Sequence, residues 1–397
     1  MSKQTFLFNC NDFAANEHTR VEQGPFWASL THRKGDPDNV HRLTVGNGMV
    51  QVELLPSKGL SVGEAEANGT PLFWKPPLKN LPDPDWIDLY GETLINGTPL
   101  SGFRWVEGFT GGIEMLGLEN FGSPVTDKNG RLLGLHGDAS YIPVNKVEVT
   151  ISENELVVSG AFEVYDGLGN ADKVWYRRGS LQYTVTKTIT LKAGSLVIFL
   201  LDTITNRSEK SLTPDWGYHI QLHPMEGARL LVPAARSEGR GGEPLPPDHE
   251  VWHEAKNPGL REEKGIIHYG LKAQADASSR QSVVQTLLRY PDGTGIRVAA
   301  PIAPFFLSWF SCGGKGDRTI CLPAEDGDPP RTLFQEPWDG VGPEIGASAL
   351  DHDGRTDPNV QAVTLYPGET LNLPITIEPV SVEQAEVVEQ EIRAFQA

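Results

Sequence analysis

The sequence predicts an all-β protein, a large antiparallel β-sandwich closed by one short C-terminal helix. Three observations carry this. Asn-Gly and Asp-Gly pairs punctuate nearly the whole chain, the segments between them alternate apolar and polar residues, and one helical stripe stands at the end.

The turn pairs are Asn47-Gly48, Asn68-Gly69, Asn96-Gly97, Asn129-Gly130, Asp166-Gly167, Asp292-Gly293 and Asp353-Gly354. They accept positive φ at low cost and suit tight hairpins. Between them, residues 48–55 place Val50, Val52 and Leu54 on one face and Gln51 and Glu53 on the other. Residues 181–191 alternate Tyr183, Val185, Ile189 and Leu191 with Gln182 and threonines. Both patterns are those of strands with one buried face. Residues 196–206 are more apolar, as expected of a central strand. Residues 285–290 and 295–299 flank Pro291-Asp292-Gly293-Thr294 as a hairpin, and residues 363–366 and 370–377 flank Pro367-Gly368-Glu369 as another.

The helix is predicted from Ser381 and Gln384, which match a capping box, followed by Ala385, Val388, Ile392 and Phe395 at helical spacing. Its stripe is expected to pack on its own sheet; the alternative is a second subunit. No fixed-period repeat or low-complexity linker divides the chain, so one domain over residues 1–397 is expected, with a core of about 40–380 and a monomer or homodimer as the assembly.

With 397 residues and 39% apolar composition, the chain is long enough to bury a large core. No window holds the roughly 18 uninterrupted apolar residues of a membrane span. The opening Met1-Ser2-Lys3-Gln4-Thr5-Phe6 lacks the basic and apolar regions of a signal peptide, so a cytoplasmic location and no membrane partner are expected. Cys10, Cys312 and Cys321 form no C-x-x-C pair and read as reduced, buried thiols. The net charge of −18 repels polyphosphate backbones and argues against a nucleic-acid partner. It says little about a neutral small molecule.

Two histidine patterns invite a metal reading. His249-Glu250-Val251-Trp252-His253 matches H-E-x-x-H, which needs a helix to bring both imidazoles to one ion. Pro244, Pro246 and Pro247 before it and Asn257-Pro258-Gly259 after it leave room for about two turns, a marginal scaffold. A surface loop anchored by Trp252 is the better reading. His219 and His223 are spaced H-x₃-H near Glu226, but residues 216–223 alternate like a strand. A catalytic or ligand-binding His219 is preferred there, with a structural histidine as the alternative and a metal site last. No nucleophile elbow, Walker loop or dinucleotide fingerprint is present, so cofactors are expected to be none.

Three segments remain: Gly134-Leu135-His136-Gly137, Trp216-Gly217-Tyr218-His219 and Phe334-Gln335-Glu336-Pro337-Trp338-Asp339-Gly340. Their order in an all-β chain resembles the galactose mutarotase-like superfamily, which contains the aldose 1-epimerases. Asp202-Thr203-Ile204-Thr205-Asn206 and the Leu365-Tyr366-Pro367-Gly368-Glu369 turn extend the likeness over roughly residues 40–380. Residues 102–114 and 54–63 look closer to a poorly characterised branch than to galactose mutarotase itself.

The resemblance implies that superfamily's supersandwich and a small sugar as partner. It also implies acid–base interconversion of anomers, with Glu336 as base, His219 as acid and His136 binding a hydroxyl or assisting the acid. The departures concern substrate recognition. Asp138-Ala139-Ser140 stands where mutarotases commonly follow His-Gly with arginine, and Lys58 stands where the branch tends to carry arginine. Lys58 is a candidate substrate contact, with a solvated surface lysine as the alternative. Trp309 and Trp338 are candidates for the surface on which a sugar ring stacks, with core packing as the alternative. Two other functions stay open: a carbohydrate-binding protein without turnover, and a polysaccharide lyase or glycoside hydrolase. A glycosidase needs a second carboxylate, and a lyase could draw on Trp175-Tyr176-Arg177-Arg178.

Overall fold

The alternation of the sequence becomes alternation of burial. In the strand Val50–Leu55, Val50, Val52 and Leu54 are buried while Gln51 is exposed. In Leu181–Lys192 the buried face holds Tyr183, Val185, Ile189 and Leu191, and also Lys187. The computed structural model describes residues 3–10, 19–33, 39–76, 81–95, 98–127, 130–166, 179–254, 262–274, 282–312, 320–322, 331–332, 339–348 and 357–396.

Two large sheets form the body. The first runs, strand beside strand, Gln4–Asn9, Lys146–Ile151, Glu155–Tyr165, Leu181–Lys192, Ile198–Asn206, Thr370–Val380, Gly295–Pro301, Val283–Arg289 and Arg229–Leu231. The second runs Ala234–Gly239, Glu262–Leu271, Phe305–Cys312, Gly340–Ala347, Asp215–Gln221, Gly112–Leu118, Ser61–Ala67, Val50–Leu55, Arg42–Gly46, Phe26–Thr31 and Thr19–Gln23. One apolar core lies between them, with Val185, Leu200 and Leu373 from the first sheet meeting Met115, Tyr218, Phe306 and Ile345 from the second. This is the antiparallel sandwich that the turn and strand pattern predicts, and the apolar segment near residue 200 is central in its sheet.

The predicted hairpin across residues 291–294 pairs Arg289 with Gly295. The one across residues 367–369 differs. Residues 363–366 form no strand beside Thr370–Val380, whose neighbours are Ile198–Asn206 and Gly295–Pro301. Leu365 instead makes an isolated bridge to Leu212, and its carbonyl accepts a hydrogen bond from Asn206 Nδ2 at 2.9 Å. That side chain draws the segment to the end of a different strand.

The C-terminal helix Val382–Gln396 has its capping box: Ser381 N donates to Gln384 Oε1 (2.9 Å) and Gln384 N to Ser381 Oγ (3.3 Å). Ala385, Val388 and Ile392 pack on Leu231, Leu287 and Val380 of the same chain. No helix among the described residues is long and apolar enough to cross a membrane.

Side chains alternate across a strand, so each residue of the second sheet that points away from the sandwich core reaches the sheet's other face. That face is also covered. Trp74, Ile87, Leu89, Trp105, Phe109, Phe121 and Tyr141 form a second apolar cluster there with Leu116, and the short 3-10 turn Arg104–Gly108 supplies its centre. The candidate site lies under this cover.

Candidate functional site

His219 stands on Asp215–Gln221, the strand between Gly112–Leu118 and Gly340–Ala347. The register pairs it with Glu114 on one side and Glu344 on the other. Directly opposed residues share a face, so Glu114, His219 and Glu344 form a row across three strands on the covered face. All three are buried, with Glu344 6% and His219 7% exposed and Glu114 closed off. Two glycines, Gly342 and Gly346, flank Glu344 on its own face. The Gly346 position, with Gly217 beside it in register, is occupied by the ring of Phe121.

Aromatic rings surround His219. Phe109 lies 4.8 Å away between centroids, His136 6.1 Å, and Trp105 and Trp309 each 6.4 Å, with the Trp105 plane inclined 30° to the imidazole. Trp105 also meets His136 edge-on at 4.7 Å. Among the described residues His219 Nδ1 has no hydrogen-bond partner. Burial pulls the His219 pKa down to about 3, because the apolar walls do not solvate an imidazolium. The ring is therefore neutral around pH 7.

His136 reaches the site through a strained turn. Its φ is +58°, a region few non-glycine residues enter. Gly137 follows at +68°, and a Cβ there would come within 2.6 Å of the Asn120 and Gly117 carbonyls. Gly117 N donates to His136 O (2.9 Å) and His136 N to Gly122 O (2.8 Å), which ties the turn to the Gly112–Leu118 strand. This is the physical content of the His-Gly pair: glycine permits the close approach that brings the imidazole beside His219. Asp138 is buried in the same turn and its N–H donates to Gly117 O at 3.0 Å.

Trp309 sits on Phe305–Cys312, between Gly342 and Gly265 in register, with the Arg240 guanidinium 5.9 Å from its ring. It is half-buried, packs on the Ile267, Tyr269 and Leu307 cluster and flanks His219. Lys58 is neither solvated nor at the surface. It is 1% exposed, and its ammonium is held by Gly108 O and by both oxygens of Glu114. The structure thus brings together His136, His219 and Trp309, with Lys58 one layer away. Glu336 and Trp338 lie outside the described residues, as do Trp175, Tyr176, Arg177 and Arg178.

Sequence reasoning missed Glu344, Trp105 and Phe109. The signal available for Glu344 was a carboxylate between glycines at i−2 and i+2 in a strand, a pattern that clears space around one acidic group. Trp105 rides on a 3-10 turn and Phe109 directly follows it, with no periodicity to read.

The other histidine pattern divides. Residues 247–250 form turns and Val251 bridges to Arg229, with no helix, so His249 and His253 do not share a helix face. His249 Nδ1 meets Pro246 O (3.0 Å) and His253 Nδ1 meets Glu226 Oε1 (2.8 Å). Trp252 is the anchor, buried and donating to Ser311 O at 2.9 Å. His223 lies beyond the end of the Asp215–Gln221 strand, where its N–H donates to Leu72 O. Among the described residues no group of three or more His, Cys, Asp or Glu is placed to hold a metal ion.

This architecture is shared with solved structures. A Klebsiella pneumoniae protein described as a "putative aldose 1-epimerase" matches 100% of this chain and 96% of its own, at 18% identity and a TM-score of 0.72. A galactose mutarotase-like protein from Clostridium acetobutylicum matches 90% of this chain and 99% of its own, at 11% identity and a TM-score of 0.53. At such identities the likeness establishes the fold, a galactose mutarotase-like sandwich. No curated protein matches the sequence. The family model for "Domain of unknown function (DUF4432)" matches residues 38–318, most of the chain, and the protein belongs to that family.

Proposed function

We propose that the protein is an aldose 1-epimerase-like isomerase that interconverts the anomers of a small sugar, with Glu344 as base and His219 as the group facing the ring oxygen. The supporting observation is the direct pairing of His219 with Glu344 across neighbouring strands, on a face walled by Trp105, Phe109, Trp309 and His136. The sequence resemblance gave the base as Glu336. Glu344 is preferred because strand register sets it directly beside His219.

The chemistry follows from these groups. A carboxylate takes the anomeric hydroxyl proton while a donor hydrogen-bonds the ring oxygen as its bond to C1 breaks. The open chain rotates about C1–C2 and recloses on the other carbonyl face, returning the proton. A histidine held neutral by burial acts here as a hydrogen-bond donor to developing negative charge, not as an imidazolium acid. Aromatic faces suit the apolar faces of a pyranose, and in this reading His136 binds a hydroxyl.

The test is anomer exchange followed by NMR over a panel of neutral reducing sugars and sugar acids. Saturable acceleration for at least one sugar supports the reading. Saturable binding without acceleration would make the protein a carbohydrate-binding module, and a new reducing end or an unsaturated product would make it a glycosidase or lyase.

A further inference from the structure

We infer that Lys58 and Glu114 are a positioning pair: they hold the 104–110 turn so that Trp105 and Phe109 press on His219. Both side chains are at most 1% exposed. The Lys58 ammonium is held by Gly108 O and lies 3.1 and 3.3 Å from the Glu114 oxygens and 4.5 Å from the centre of the Tyr141 ring. Glu114 Oε1 in turn accepts from Thr110 N (2.8 Å) and Thr110 Oγ1 (2.6 Å). Tyr141 OH donates to Trp105 O at 2.6 Å, and Trp105 Nε1 donates to Ser140 Oγ at 3.0 Å. The turn is therefore held at Trp105, Gly108 and Thr110, and each tether leads to Lys58, Glu114 or the adjoining 140–141 segment.

Local sequence explains how a lysine comes to be there. Pro56–Lys58 is a 3-10 turn ended by Gly59 at φ +61°, and a Cβ on Gly59 would lie 2.5 Å from Ala139 O. Only glycine lets the Lys58 turn dock on the 139–141 turn. A buried ion pair is a poor source of stability, because desolvation offsets the attraction, and apolar residues of similar size often do as well. What apolar residues would not do is capture the Gly108 carbonyl and the Thr110 N–H and hydroxyl. The pair is thus better explained by the geometry it imposes on the turn. Glu114 is also the strand neighbour of His219, so the tether and the imidazole share one backbone frame.

The kinetic part of the test rests on the isomerase reading; the spectroscopic part does not. Full-length Lys58→Met and Lys58→Met/Glu114→Leu variants are compared with wild type by thermal melting, by the His219 ring resonances (assigned through their loss in His219→Gln) and by anomer exchange. The single variant is expected to melt well below wild type. The double variant, with no unpaired charge, is expected to recover most of the melting temperature. Its His219 resonances should remain displaced, and its kcat should stay at least ~10-fold low with KM within about threefold, since small misplacements at a reacting centre are expensive in rate. Wild-type resonances and kcat in the double variant would overturn the inference, leaving charge compensation as the pair's whole role. Should neither variant fold, Thr110→Val removes one tether and must displace the same resonances. Should wild type accelerate no anomer exchange, the isomerase reading falls and the resonances still decide the inference.

Discussion

Tyr218 and His219 are consecutive on one strand and serve opposite faces of it. The Tyr218 hydroxyl donates to Asp202 Oδ2 at 2.8 Å inside the sandwich core, while His219 joins the aromatic rings of the covered face. Lys187 completes the inner group by pairing with Asp202 across the Leu181–Lys192 and Ile198–Asn206 strands.

Breaking that inner pair should be severe. Lys187→Met leaves the Asp202 charge buried with Tyr218 as its remaining donor among the described residues, a change that costs about 3–5 kcal/mol. Urea unfolding of Lys187→Met, Asp202→Asn and the double variant should show strong coupling, the double variant being more stable than the sum of the single losses implies. Additive losses would mean that the pair contributes nothing as a unit.

Acid should destabilise the protein through its buried histidines. Burial lowers His219 and His268 to about 3, and burial with the nearby Arg33 lowers His41 to about 4. Each folded pKa lies below the unfolded value of about 6.5, so below that pH the unfolded chain takes up protons the folded chain refuses. Stability is complete above about pH 6.5 and is lost as pH falls from there toward 3. At pH 5.5 each fully buried imidazole accounts for about 1.4 kcal/mol. Unfolding measured at pH 7.5 and 5.5 should show the drop, and His268→Gln should reduce it. A flat profile would contradict neutral burial.

Gly217 should tolerate no side chain. A Cβ there would overlap the Phe121 ring, which stacks edge-on with Phe305 at 5.5 Å and helps cover the site. Gly217→Ala is expected to lose about 1–3 kcal/mol, the usual cost of overpacking, in a thermal melt. An unchanged melting temperature would show that the cover is loosely packed.

Much of the fold was legible because burial follows sequence period. Val50, Val52 and Leu54 point inward as their spacing requires, and the Ser381–Gln384 cap starts the helix where its residues say. Lys187 was hidden, because a lysine within an apolar register reads as an interruption until its partner, 15 residues away, is seen across the next strand. Lys58 was noticed, but a lysine's burial depends on distant groups, here Glu114 and Gly108. His136 stood out through the family resemblance, and His219 through that resemblance and its H-x₃-H spacing with His223. Glu344 did not, since its place beside His219 is set by strand pairing across more than a hundred residues.

The decisive measurement compares two glutamines. Anomer exchange by NMR is measured for Glu344→Gln and Glu336→Gln, with His219→Gln as reference, on a sugar the wild type turns over. A loss of about 10²–10⁴-fold in kcat is expected for Glu344→Gln and a loss for His219→Gln, each with the melting temperature retained, and a much smaller effect for Glu336→Gln. Full activity in Glu344→Gln, with the loss in Glu336→Gln instead, would contradict Glu344 as the base.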